Sequence, residues 1–252
     1  MAELHGKTIL LTGAARRIGA VVATTLHQAG ADIVIHYRNS SEAAQELVDS
    51  LNQQRKDSAF MVQADLCEID TLPALITETI SHTGRLDVLI NNASSFYPTV
   101  IGSVTEKQWD DLHCSNLKAP FFLAQAAQTE LTKHQGCIIN MVDIHGIKPL
   151  KNHPVYSSAK AGLIMLTQAL AKDLGPDIRV NGVAPGAILW PEEGNSAESD
   201  HKEIQTELLE RTALKCQGTP DDIASAILFL VKGADYITGH VIPVDGGRLL
   251  NQ

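Results

Sequence analysis

The sequence predicts an α/β fold: a parallel sheet with helices over both of its faces. Short apolar runs alternate with longer amphipathic ones along the chain. The short runs are apolar at consecutive positions, the pattern of strands buried on both sides. A length of 252 residues suits one large α/β domain or two small ones, and no linker, repeat or low-complexity tract divides the chain, so a single domain over 1–252 is expected.

In chain order, Thr8–Leu11 reads as the first strand, and Thr12–Gly19 as the turn into a helix over Ile18–Ala29. Ile33–Tyr37 is the second strand, Ser41–Gln54 a helix, Phe60–Gln63 the third strand and Val88–Asn91 the fourth. Both helices carry apolar residues at three- and four-residue spacing. Thr105-Glu106-Lys107-Gln108 fits a capping box opening a long helix around Trp109. Cys137–Met141 and Arg179–Ala184 are the fifth and sixth strands. Thr219-Pro220-Asp221-Asp222 supplies a cap, a first-turn proline and two acids to the last helix, and Val241–Val244 closes the sheet. Ala187–Lys202 lacks periodicity, with Trp190-Pro191 and Gly194-Asn195-Ser196 inside it. Long irregular segments in compact domains are commonly functional, so a substrate lid is expected near 187–215.

A net charge of −9 argues against a nucleic-acid surface. The ten histidines show no H-E-x-x-H spacing, so no metal site is expected. The four cysteines, Cys67, Cys114, Cys137 and Cys216, are scattered and are expected to be reduced thiols. No apolar run reaches the roughly 18 residues of a membrane span, and the start of the chain has no charged-then-apolar leader. A cytoplasmic location is expected.

The Thr12-Gly13-Ala14-Ala15-Arg16-Arg17-Ile18-Gly19 turn joins a strand to a helix N-terminus, where backbone amides bind anions and glycine permits close approach. The second strand ends in His36-Tyr37-Arg38-Asn39-Ser40, without the acid that usually holds ribose hydroxyls. An arginine among small polar groups suits a 2′-phosphate, so NADPH is the expected cofactor. Asp65 and Asn91-Asn92-Ala93 lie at strand C-terminal ends, where ligands of such sheets bind. Tyr156 and Lys160 stand one helical turn apart on one face. An ammonium there is expected to favour phenolate and so lower the tyrosine pKa. Asp143, thirteen positions upstream, donates no hydrogen bond as a carboxylate, which points to a nitrogen-containing substrate.

Taken together, the Thr12–Gly19 turn, Asn91-Asn92-Ala93, Asn116, Tyr156/Lys160, Asn181–Gly186 and Val244-Asp245-Gly246-Gly247 resemble the short-chain dehydrogenase/reductase family over nearly the whole chain. That resemblance implies a doubly wound, Rossmann-like parallel sheet of seven strands and a homotetramer. The chain departs from most members at Arg17 and Ser94, where they have glycine, and at Asp143, where they have serine. Those departures, with Ser94-Ser95-Phe96-Tyr97-Pro98, Met141-Val142-Asp143 and His36–Ser40, are similar to the pteridine reductase branch.

The resemblance implies catalytic roles for Asp143, Tyr156 and Lys160, and a water-holding role on the path to Lys160 for Asn116. Arg17, Ser94, Phe96, Asp143 and Tyr156 would bind substrate, with Phe96 stacking on the pterin. Cofactor contacts are expected from Gly13, Arg16, Arg17, Ile18, Gly19, His36, Tyr37, Arg38, Asn39, Ser40, Asp65 and Leu66. Asn92, Ala93, Ser94, Met141, Tyr156, Lys160, Pro185, Gly186 and Ile188 complete that set. The expected reaction is hydride transfer from NADPH to a C=N bond of a dihydrobiopterin, dihydromonapterin or dihydrofolate-like pteridine. The alternative is a carbonyl reductase of the same family, such as a 3-oxoacyl-thioester reductase.

Overall fold

The structure is a computed structural model that describes residues 4–188 and 209–250. Seven parallel strands form one sheet: β1 Thr8–Leu11, β2 Asp32–Tyr37, β3 Ala59–Gln63, β4 Val88–Asn91, β5 Cys137–Met141, β6 Arg179–Pro185 and β7 Val241–Val244. Their spatial order is β3-β2-β1-β4-β5-β6-β7. The chain therefore winds outward one way from β1 and the other way from β4. The crevice beyond the C-terminal ends of β1 and β4 is the switch point where such sheets bind ligands.

Strand residues alternate between two cores. Ile9, Leu11, Ile33, Ile35, Ile90 and Ile139 face helices α1 (Arg17–Gln28), α2 (Ser41–Gln54) and α7 (Pro220–Lys232). Leu10, Val34, Leu89 and Ile138 face α3 (Leu72–Thr83), α5 (Ala119–Lys133) and the C-terminal half of α6 (Pro154–Leu174). Burial on both faces is why the strands read as unbroken apolar runs. α4 (Glu106–His113) begins at the expected capping box: Gln108 N–H donates to Thr105 Oγ1 at 3.3 Å, and Thr105 N–H donates to Gln108 Oε1 at 2.9 Å. Thr219 N–H likewise donates to Asp222 Oδ2 at 2.7 Å at the start of α7.

The cysteines are not all free: Cys67, after β3, is disulfide-bonded to Cys114, at the end of α4, with their Cα atoms 5.7 Å apart. Their separation of 47 positions hid the pairing, which only the β3–α4 crossing creates. Cys137, buried, and Cys216, exposed, are free. The proposed lid falls largely outside the described residues, as does most of Ala187–Lys202. Among the described residues, no helix is long and apolar enough to cross a membrane.

Candidate active site

The β1–α1 turn is stitched to the end of β4 by one hydroxyl. Thr12 Oγ1 accepts the N–H groups of Asn92 at 2.9 Å and Ala93 at 3.0 Å. Asn92 returns its amide to the Thr12 and Gly13 carbonyls at 2.9 and 3.0 Å. Gly13 has φ 60°, and a Cβ there would sit 2.8 Å from Ala93 Cα, so only glycine closes the turn. His36 clamps the other side. Its Nδ1 accepts Gly13 N–H at 3.1 Å, which leaves Nε2 to donate to the Ala64 carbonyl, also at 3.1 Å. The Gly13 bond requires an unprotonated Nδ1 and so a neutral ring, and burial lowers its pKa to about 4, with the Ala64 bond opposing.

Arg17, the first residue of α1, has φ 57°, the left-handed region. A non-glycine residue there costs on the order of 1–2 kcal/mol. No side chain caps α1 and no acid lies in its first turn. Its N-terminal amides thus remain for a bound anion.

A cavity of about 730 Å³ runs from this turn across the strand ends. Of the expected cofactor residues, Gly13, Arg16, Arg17, Ile18, Gly19, His36, Arg38, Asp65, Leu66, Asn92, Ala93, Ser94, Met141, Tyr156, Lys160, Pro185, Gly186 and Ile188 line it. Tyr37, Asn39 and Ser40 do not. Tyr37 alternates with His36 and Arg38 along β2 and packs into the core. Asn39 and Ser40 belong to the loop that opens α2. Three arginines, an uncapped helix N-terminus and no acid at the end of β2 make the cradle fit the phosphates of a dinucleotide.

At the far end, α6 starts at Pro154 and delivers Tyr156 in its first turn, buried at 4% exposure. The Tyr156 hydroxyl donates to Asp143 Oδ2 at 2.8 Å, while Asp143 Oδ1 accepts His145 N–H at 2.8 Å. Lys160 donates to the Met141 carbonyl at 2.7 Å and lies 5.7 Å from the Tyr156 ring centroid. The expected lowering of the Tyr156 pKa is therefore corrected. Burial raises it well above the usual phenol value, and the Asp143 charge and hydrogen bond add to that, with Ser94 opposing. Burial also lowers Lys160 to about 8, with Asp143 opposing.

Phe96 lines the cavity with 55% of its surface exposed. It stacks on His153 at 4.8 Å and meets Tyr156 edge-on at 4.8 Å. Asn116 does not line the cavity. It is buried in a π-turn over Cys114–Lys118, where its amide donates to the Leu112 and Ser95 carbonyls, both at 2.9 Å. Its Oδ1 accepts the Ser94 hydroxyl at 2.7 Å, so its side chain orients the Ser94 loop. His145, Leu150, Ser95, Ser115 and Arg248 also line the cavity. Of these, Ser95 lies in the Ser94–Pro98 run and Arg248 directly follows Gly246-Gly247, while the other three carried no motif signal.

A switch-point cavity with a phosphate cradle at one end and a buried Tyr–Lys pair at the other defines an NAD(P)-dependent oxidoreductase. The chain belongs to the short-chain dehydrogenase/reductase family. The family description "Enoyl-(Acyl carrier protein) reductase" matches residues 13–248. The 3-oxoacyl-[acyl-carrier-protein] reductase FabG of Staphylococcus aureus is 36% identical over 97% of this chain and 98% of its own. Pteridine reductase 1 of Leishmania tarentolae is 34% identical, covering 96% of each chain. A solved structure from Sinorhizobium meliloti 1021, described as a short-chain alcohol dehydrogenase, superposes with a TM-score of 0.91 at 30% identity, over 100% of this chain and 99% of that one.

Proposed function

We propose that the protein is an NADPH-dependent reductase of a pteridine, acting at a C=N bond of a dihydropterin. The observation that carries this reading is the Tyr156–Asp143 hydrogen bond at 2.8 Å. A ketone reductase needs two hydrogen-bond donors on one carbonyl oxygen. Here the second group is a carboxylate whose Oδ atoms accept, and a heterocycle bearing N–H groups matches that set.

The dinucleotide supplies the hydride when bound. Arg16, Arg17 and the α1 amides hold its phosphates, and Arg38 selects the 2′-phosphate. Tyr156, kept as a phenol by its raised pKa, gives its proton to the ring nitrogen beside the reduced carbon. The Lys160 ammonium stabilises the phenoxide left behind. Asp143 accepts a substrate N–H and orients the ring. Phe96 offers a flat apolar surface, worth about 0.5–1.5 kcal/mol in stacking. Asn116 acts by positioning Ser94. The homotetramer and the cytoplasmic setting belong to the same reading.

The 36% identity to a 3-oxoacyl-[acyl-carrier-protein] reductase favours a second reading, reduction of a 3-oxoacyl thioester. Initial rates of NADPH oxidation with dihydrobiopterin, dihydromonapterin, dihydrofolate and an acetoacetyl thioester separate the two. Preference for any pterin supports the first reading, and preference for the thioester replaces it.

A further inference from the structure

Arg248 reaches the substrate end of the cavity through a tightly fixed turn. After β7, Gly246 (φ 61°) and Gly247 (φ 78°) reverse the chain into a 3₁₀ turn over Arg248–Leu250. Asp245 holds that turn by accepting the N–H groups of Gly247 at 2.9 Å and Leu249 at 2.8 Å. Lys148 donates to the Leu249 carbonyl at 2.6 Å. The Leu249 side chain packs against a small core of Val142, Ile144, Leu163 and Ala184. Val142 and Ile144 bracket Asp143 in sequence, so the turn is anchored beside the Tyr156–Asp143 pair and not at the phosphate cradle.

The Arg248 side chain lines the cavity and is half-buried. Among the described residues its guanidinium makes no hydrogen bond and no ion pair within 4 Å. The two carboxylates that act on it electrostatically are Asp143 and Asp245, and each already accepts two hydrogen bonds from other groups. Asp143 accepts from Tyr156 and His145, and Asp245 from two backbone amides. Burial lowers the Arg248 pKa, with Asp143 opposing. A half-buried guanidinium with unmet donors is costly unless what enters the cavity brings acceptors. Such acceptors must sit close to the ring that Asp143 orients, because Arg248 is anchored beside Asp143.

We infer that Arg248 is a specificity residue whose guanidinium takes the oxygen atoms of a short hydroxylated substituent carried on the reduced ring. This rests on the pterin reading and adds a preference to it. Dihydromonapterin and dihydrobiopterin carry hydroxyls on the first side-chain atoms. Dihydrofolate has its oxygens several bonds farther out, and 6-methyl-dihydropterin has none on its tail.

The test measures kcat/KM for 6-methyl-dihydropterin, dihydromonapterin and dihydrofolate with the wild type and Arg248→Gln. Ratios between substrates within one preparation cancel any loss of folded enzyme. The dihydromonapterin-to-methyl ratio is expected to fall about 10- to 100-fold in the variant, the loss of a charge-assisted hydrogen bond, and mostly through KM. The dihydrofolate-to-methyl ratio is expected to move far less. An unaltered dihydromonapterin ratio overturns the inference, as does a loss confined to dihydrofolate. A wild type that reduces none of the three pterins overturns the pterin reading itself and this inference with it.

Discussion

Tyr156 points its proton at Asp143, at 2.8 Å, while Lys160 is turned to the Met141 carbonyl at 2.7 Å. The phenol is thus held by a carboxylate and not primed by an ammonium. Two substitutions separate the roles. Tyr156→Phe removes the proton donor and should reduce pterin turnover by about 10²–10⁴-fold, the usual worth of a general acid. Asp143→Ser restores the hydroxyl that most family members carry. It should lower pterin turnover while raising reduction of an acetoacetyl thioester. NADPH binding, followed by fluorescence, should survive both changes. Pterin turnover near wild type in Tyr156→Phe would refute the proton path.

Arg38 is the side chain at the end of β2 that both carries charge and lines the cavity; Tyr37 is buried in the core. Arg38→Asp places a like charge against the 2′-phosphate. The NADPH-to-NADH ratio of kcat/KM should fall by at least about 10²-fold, from the lost charge-assisted bond plus new repulsion. An unchanged ratio would move cofactor choice to another cation, Arg16 first.

Arg17 occupies a left-handed backbone position at φ 57° where glycine would be unstrained. Arg17→Gly relieves about 1 kcal/mol of backbone strain and should leave Tm equal or higher. The same change removes a cation from the phosphate cradle and should raise KM for NADPH. Stability and affinity then move in opposite directions. A fall in both would show that Arg17 is a structural residue.

The two halves of the site differ in how readable they were from the chain. β1, β4, β5 and β7 have the boundaries read from their apolar runs, and in β1 and β4 burial on both faces leaves no polar interruption except at their ends. The Gly13 turn, the Tyr156/Lys160 spacing and the Thr105 capping box are local, so short-range sequence encodes them. The direction of the Tyr156 pKa was not readable. It depends first on how deeply the closed fold buries the hydroxyl and then on which partner it meets, and Asp143 arrives from a different strand end. His153 on Phe96, Arg248 beside Asp143 and Cys67 against Cys114 were hidden for the same reason. Each pairs segments that only the closed sheet brings together.

His36 gives the fold a defined acid limit. Its folded pKa of about 4 lies below the ordinary histidine value of 6.5. The unfolded chain therefore binds a proton between those values that the folded chain refuses. Stability from the Gly13 clamp is fully present above pH 6.5, declines as pH falls towards 4 and levels off below that. The decline should total roughly 3 kcal/mol, at 1.36 kcal/mol per pKa unit. Urea unfolding at a series of pH values should show it. His36→Phe should flatten the curve in that window while lowering stability at pH 7, because Gly13 N–H loses its acceptor. A curve in His36→Phe as steep as the wild type's would assign the slope to other groups.

The Cys67–Cys114 bond joins the loop after Asp65 to the π-turn that carries Asn116. It ties the cofactor side of the cavity to the residue that positions Ser94. Closing a loop of 47 positions constrains the unfolded chain by up to about 4 kcal/mol. The bond is expected to be visible as a thiol count: in denaturant without reductant, Cys137 and Cys216 titrate, and after a dithiol all four cysteines do. Reduction should then lower Tm by roughly 5–15 °C for a chain of this size. Cys114→Ser should reproduce the lower Tm and make it insensitive to reductant. Because Cys67 N–H also donates to Asp65 at 3.0 Å, the same variant should weaken NADPH binding by loosening the loop that carries Asp65. Four thiols titrating before any reductant is added would show the two sulfurs to be neighbours without a bond, and the stability difference should then vanish.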